Sequence, residues 1–175
     1  ELIFERCFVP ADNLLGGLNR GFRVAMQNLD AARPTTGAQA IGIGQAAFEE
    51  ALRYSQQRVQ FGGPIASQQA IQFMLADMAT ELDAARLMVH RVAAMHDDGA
   101  GRITKEAAMA KLFASEVSHR VVDKALQVHG GYGYMRDFPL ERFYRDQRIT
   151  EIYEGTSEIQ RLVIARELLR PPGQT

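Results

Sequence analysis

The sequence predicts an all-α fold, a four-helix bundle preceded by one short β-strand. Three observations point there. Ile71, Leu75, Met78, Leu82, Ala85, Val89 and Val92 recur in alternating steps of four and three, the spacing of one buried helix face. Ala107, Ala110, Ala114, Val117, Val121, Ala125 and Val128 form a second such face, and their small side chains permit close helix approach. Glycine-rich breaks at Phe61-Gly62-Gly63-Pro64, Asp97-Asp98-Gly99-Ala100-Gly101 and His129-Gly130-Gly131 separate the helical stretches.

Taken in order, Leu2 to Val9 is rich in β-formers and is stopped by Pro10, which predicts a strand. Its partner would be another chain or a preceding domain. Asn13 to Gly21, with three glycines, predicts a loop. The first helix runs from about Phe22 to about Arg58, and Pro34 predicts a kink in it because proline removes a backbone donor. The second helix is ended by Asp97-Asp98-Gly99-Ala100-Gly101, and the third spans about Thr104 to Val128. A shorter helix covers about Leu140 to Ile152. The last runs to about Leu169 and is stopped by Pro171-Pro172. Ser157 and Gln160 match a capping box at its start. The division expected is a residual strand and linker over 1–18, a helical bundle over 19–170 and a tail over 171–175. A chain that opens at Glu1 and enters an extended run directly reads as a piece of a longer protein.

Composition narrows the function classes. With 175 residues, 46% of them apolar, the chain can bury one substantial core. A net charge of -1, with basic and acidic residues interspersed, gives no basic face for nucleic acid. One cysteine, Cys7, allows no internal disulfide and no thiolate metal site. His90, His96, His119 and His129 include no pair spaced to share a metal on one helix face, so none is expected. No apolar run is long enough to span a bilayer, and no signal-peptide pattern opens the chain.

The chemistry concentrates in Ile152-Tyr153-Glu154-Gly155-Thr156-Ser157-Glu158-Ile159-Gln160. Glu154 falls where one helical pattern stops and another begins. A carboxylate on a short joint between rigid elements is fixed yet reachable, as a catalytic base must be. The plainer reading is a solvated turn. Three further clusters sit at helix ends or kinks: Leu29 to Pro34, Arg58 to Gly62, and Gln127 to Gly131. Each also has a structural explanation. Asp30 and Arg33 can pair at i,i+3, Arg58 can neutralise a helix C-terminus, and Gly130-Gly131 can end a helix.

Together, and in this order, the four clusters resemble the C-terminal domain of the acyl-CoA dehydrogenases, particularly the short- and medium-chain branch. The resemblance extends from Leu2 to about Leu169. Its most specific part is Arg145-Asp146 followed by Ile149-Thr150-Glu151-Ile152-Tyr153-Glu154-Gly155-Thr156-Ser157-Glu158-Ile159-Gln160-Arg161. It implies an FAD-dependent α,β-desaturation of an acyl-CoA thioester, in which a base takes the α-proton and flavin N5 takes hydride from the β-carbon. Glu154 matches the base, and its backbone N–H matches a donor to the thioester oxygen. Asp30, Arg33 and Gly155 match acyl-CoA contacts. One subgroup carries its base on the first helix, immediately before the arginine matching Arg33; here that residue is Ala32.

The resemblance also assigns the cofactor residues. Arg58, Phe61, Gln69, Gln127, Gly130 and Gly131 match contacts to the FAD of a neighbouring subunit. Thr156 and Glu158 match contacts to the subunit's own FAD. A homo-oligomer is implied, a tetramer built as a dimer of dimers, with electron-transferring flavoprotein as acceptor. The expected compartment is the bacterial cytoplasm, or the mitochondrial matrix in a eukaryote. Because full-length members carry two further domains, this piece alone is expected to bind FAD weakly and turn over poorly. The alternative is a non-catalytic helical oligomerisation subunit of a flavoprotein complex, which would have no chemical need for Glu154, Arg58 or Gly130-Gly131.

Overall fold

A computed structural model describes residues 1–171. Five helices build it: α1 (Gly21–Gln57), α2 (Gln69–Asp97), α3 (Thr104–His129), α4 (Leu140–Arg148) and α5 (Ser157–Leu168). Helix α3 is the centre and packs against all four others, while α1 also packs on α2. Its predicted apolar face is buried at all seven positions from Ala107 to Val128. On α2, Met78, Leu82, Ala85, Val89 and Val92 are buried, and Ile71 and Leu75 pack partly buried against them.

Small residues decide how closely the helices meet. A Cβ on Gly37 would lie 3.0 Å from Val89 Cγ2, and one on Gly44 would lie 3.0 Å from Leu82 Cδ2 and 3.2 Å from Ser118 Oγ. Glycine at these two points of α1 is therefore what lets it lie against α2 and α3 together. Helix α1 stays helical through Pro34. The Thr35 hydroxyl donates to the Ala32 carbonyl at 2.6 Å, beside the turn that lacks the proline N–H.

Four expectations are corrected. Leu2 to Val9 forms no strand, and these residues are exposed. A strand exists through its ladder to a neighbour, and among the described residues no strand pairs with this segment. Instead the break after α1 is a small antiparallel hairpin, β1 (Val59–Gln60) with β2 (Gly63–Pro64). Its two turn residues, Phe61 (φ 54°) and Gly62 (φ 87°), are both left-handed, as the tight turn matching strand twist requires. Helix α4 stops at Arg148 and tightens into a 3₁₀ turn over Ile149–Glu151. The N-cap of α5 is Thr156, whose Oγ1 accepts from the Ile159 N–H at 3.4 Å, so Ser157 is already helical. Of the expected tail, all but Pro171 lies outside the described residues. Among the described residues, no helix is long and apolar enough to cross a membrane, and no group of three metal-ligating side chains converges.

Candidate active site

Glu154 sits on the turn between the 3₁₀ segment and α5. Its φ of 54° and the 95° of Gly155 place two successive residues in left-handed conformations. For a non-glycine residue such a conformation costs roughly 1–3 kcal/mol and persists only where surrounding contacts over-determine it. Those contacts are backbone ones. Gln160 Nε2 donates to the carbonyls of both Glu154 and Gly155 at 3.0 Å, and Lys111 Nζ donates to the Gly155 carbonyl at 2.7 Å. A Cβ on Gly155 would come within 2.6 Å of Gln160 Nε2, so only glycine leaves room for that donor. Tyr153 anchors the other side of the turn through its hydroxyl, which donates to Gln39 Oε1 on α1.

The carboxylate of Glu154 is treated differently. It is half-buried, and its Oε2 is buried without a hydrogen-bond partner among the described residues. A buried carboxylate oxygen is ordinarily paired. Here the turn is held rigidly while the acid is left able to accept a proton from something placed against it.

Below the turn lies a polar layer. Gln147, fully buried, donates to the Ser115 carbonyl at 2.7 Å and meets His119 Nδ1 at 3.0 Å through its Oε1. Arg148 pairs with Glu151 at 2.6 Å. Lys111, 0% exposed on α3, has its pKa lowered by burial; the carboxylates of Glu151 and Glu154 oppose that shift, and Arg33 adds to it. Arg33 and Glu154 thus both act on Lys111 through their charges, the expected substrate contact and the expected base with opposite signs.

Asp30 and Arg33 do form the i,i+3 ion pair, at 2.5 Å, and Asp30 also accepts from the Thr104 hydroxyl at 2.7 Å. Arg33 is 6% exposed and its Nε has no partner among the described residues. They line a cavity of about 330 Å³ together with Arg23, Arg102, Arg166 and Glu167. Glu167 is held below the usual carboxylate range by the two hydrogen bonds it accepts from Arg102, at 2.8 and 2.6 Å.

Of the expected cofactor residues, Arg58, Gln127, Gly130 and Gly131 share a second cavity of about 420 Å³. Arg58 lies over the Tyr132 ring at 5.4 Å. Gly130, at φ 59°, caps α3, and a Cβ on Gly130 or Gly131 would meet nothing, so backbone faces open space there. His129, 3% exposed, stacks on Tyr54 with ring centroids 4.2 Å apart. Its Nδ1 contacts the Ala125 carbonyl at 2.9 Å and so carries the proton, and its Nε2 is buried without a partner among the described residues. Burial lowers its pKa, which favours the neutral ring. Phe61, 94% exposed at the hairpin tip, and Gln69, exposed at the start of α2, do not line this cavity.

Thr156 and Glu158 are elsewhere, at the N-terminus of α5 beside Gly155. Glu158 is held below the usual carboxylate range by its own backbone N–H and then by the Thr156 hydroxyl. Lys111 marks that end of α3, and Gly130 lies nineteen residues further on, about 28 Å along a helix axis. One chain thus carries its two sets of expected cofactor contacts at opposite ends of α3.

Residues 19–169 match the family model described as acyl-CoA dehydrogenase, C-terminal domain. The chain belongs to the acyl-CoA dehydrogenase family. It is 57% identical over 170 residues to the acryloyl-CoA reductase (NADH) of Anaerotignum propionicum, an alignment covering 97% of this chain and 43% of that protein. Its fold matches the butyryl-CoA dehydrogenase of Megasphaera elsdenii with a TM-score of 0.90 and 48% identity, over 93% of this chain and 42% of the other. It matches the acyl-CoA dehydrogenase complexed with FAD from Bacillus anthracis with a TM-score of 0.89 and 35% identity, over 96% and 32%. The chain spans less than half the length of these relatives.

Sequence reasoning missed part of what this acyl-CoA dehydrogenase domain places around Glu154. Gln147 gave no local signal. Lys111 did, because it stands between Ala107 and Ala114 on a face otherwise made of alanine and valine.

Proposed function

We propose that this chain is the helical C-terminal part of an FAD-dependent acyl-CoA dehydrogenase that desaturates an acyl-CoA thioester between its α- and β-carbons, with Glu154 as the base. One observation carries the reading: a buried carboxylate oxygen without a partner among the described residues, on a turn whose two carbonyls are both pinned. A purely structural acid in that place would be expected to have found a donor.

In this reading Glu154 takes the α-proton onto its carboxylate. A positioned general base contributes about 10²–10⁴-fold to such a step. The Glu154 backbone N–H faces the thioester oxygen and stabilises the charge that develops on it, a contact of the kind whose loss costs about 2.7–4 kcal/mol. Arg33, desolvated and aligned by Asp30, holds the acyl-CoA beside Gly155. FAD, when bound, supplies the acceptor for the β-hydride. The residues present suit it: a guanidinium for pyrophosphate charge at Arg58, open backbone at Gly130-Gly131, and a polar helix start at Thr156. Phe61 and Gln69 complete the cofactor set on a neighbouring subunit, and Glu158 borders it at α5.

Two contact sets toward opposite ends of α3, separated by about 28 Å along its axis, favour a flavin site shared between chains, hence a homo-oligomer, a dimer of dimers. Electron-transferring flavoprotein is the proposed acceptor, and the bacterial cytoplasm the favoured compartment. The same geometry serves the reverse reaction, in which Glu154 returns the proton to the α-carbon; the name of the Anaerotignum relative fits that direction. The non-catalytic subunit reading leaves the unpaired Glu154 without a purpose.

Steady-state turnover of the full-length enzyme on a series of acyl-CoAs tests the proposal. Glu154→Gln should lower turnover by about 10²-fold or more with FAD still bound. Turnover within a few-fold of wild type would refute the assignment.

A further inference from the structure

We propose that Lys111 is a positioning residue for the Glu154 base, acting through its hydrogen bond to the Gly155 carbonyl; the inference rests on the reading of Glu154 given above. Lys111 is 0% exposed. It occupies the face of α3 that packs the bundle, where Ala107, Ala108 and Ala114 are also fully buried. An ammonium there loses its hydration, and an apolar side chain of similar volume would fill the space without that cost. A core position therefore does not account for a lysine. The ammonium's hydrogen bond among the described residues is to the Gly155 carbonyl, at 2.7 Å.

The turn is what requires it. Glu154 and Gly155 are both left-handed, and their carbonyls are held by two side chains, Gln160 from α5 and Lys111 from α3. Gln160 belongs to the helix that follows the turn, so it fixes the turn only relative to its own segment. Lys111 is the tie to the centre of the bundle. Because Glu154 Oε2 has no partner among the described residues, the direction of the acid is set through its backbone. Burial lowers the pKa of Lys111, and the neighbouring carboxylates Glu151, Glu154 and Glu158 favour its charged form. Loss of the tie leaves the base on a strained joint free to relax, and a misplacement of about 1 Å can cost about 10²-fold in rate.

The test uses the full-length FAD-loaded enzyme and rapid mixing with protiated and α-deuterated acyl-CoA. Lys111→Met keeps the length of the side chain and removes the donor. The limiting rate constant for flavin reduction should fall about 10–100-fold. Half-saturation by acyl-CoA should move less than about threefold, with an α-deuterium isotope effect at least as large as in wild type. A lysine that served only the core would lower the fraction of active molecules, hence the amplitude, and leave the rate constant unchanged; that result overturns the proposal. Should Lys111→Met fail to fold, Lys111→Gln keeps an N–H without the charge. It should give an intermediate rate constant with the same isotope signature, and wild-type values would overturn the proposal equally. Glu154→Gln run alongside separates the two ideas. If it reduces flavin as fast as wild type, the base assignment itself falls and Lys111 with it; if it is inactive while both Lys111 variants match wild type, only the positioning role falls.

Discussion

Glu154 owes its placement to atoms that are not its own carboxylate. The turn beneath it is a left-handed pair held by Gln160 and Lys111, and Gly155 is the residue that makes room for Gln160. Gly155→Ala is therefore expected to displace the Gln160 amide and to destabilise the fold by about 1–3 kcal/mol, read from urea unfolding, with turnover lost alongside. His129 offers a pH test. Burial in the native state lowers its pKa, whereas the unfolded chain protonates it near its ordinary value of 6.5. Unfolding thus takes up a proton below that value. Its contribution is whole above about 6.5 and is lost as pH falls through the lowered native pKa. The thermal midpoint should drop on acidification across that range, and His129→Phe should flatten this part of the profile. At this scale the motif around Glu154 and Gly155 was legible, because a carboxylate beside a glycine at a helix joint is a local pattern. Gln147 was not, since its partner Ser115 is 32 residues away; Lys111 stood out as a charge on an alanine and valine face, but its partner, 44 residues away, did not.

Among the elements, the long helices followed directly from periodicity, because burial on α2 and α3 obeys the same 3.6-residue repeat that the sequence displays. Short-range chemistry was harder to read. The capping template fits Ser157 with Gln160, yet Thr156 takes the cap and frees Gln160 to face the turn. Thr156→Ala should cost about 0.5–2 kcal/mol of stability by calorimetry. The hairpin at Val59–Pro64 has strands of two residues, too short to show alternation, so only its Phe61-Gly62 turn could have signalled it. Leu2 to Val9 has strand composition without a strand, because composition cannot supply a partner. In the core, Leu82→Ala should cost about 2–5 kcal/mol, the range for truncating a fully buried leucine.

At the scale of the whole molecule, one helix organises everything. Helix α3 contributes Lys111 beneath the proposed base, the packing face for the other helices, and the Gly130 cap at the far cavity. The proposed flavin contacts lie toward its two ends, which is why a site shared between chains is proposed, and the chain spans 43% of the length of its reductase relative. Arg58→Ala in the full-length protein should weaken FAD about tenfold or more, about 1.4 kcal/mol or above, measured by titrating the apoprotein with FAD. Unaltered affinity would remove Arg58 from the cofactor site.

The most direct measurement isolates proton removal from hydride transfer. Full-length enzyme is incubated in D₂O with an acyl-CoA analogue whose β-position carries sulfur, so that only the α-hydrogens can react, and their exchange is followed by NMR. Wild type should wash deuterium into the α-position, and Glu154→Gln with FAD bound should not. Exchange at the wild-type rate in Glu154→Gln would contradict the account.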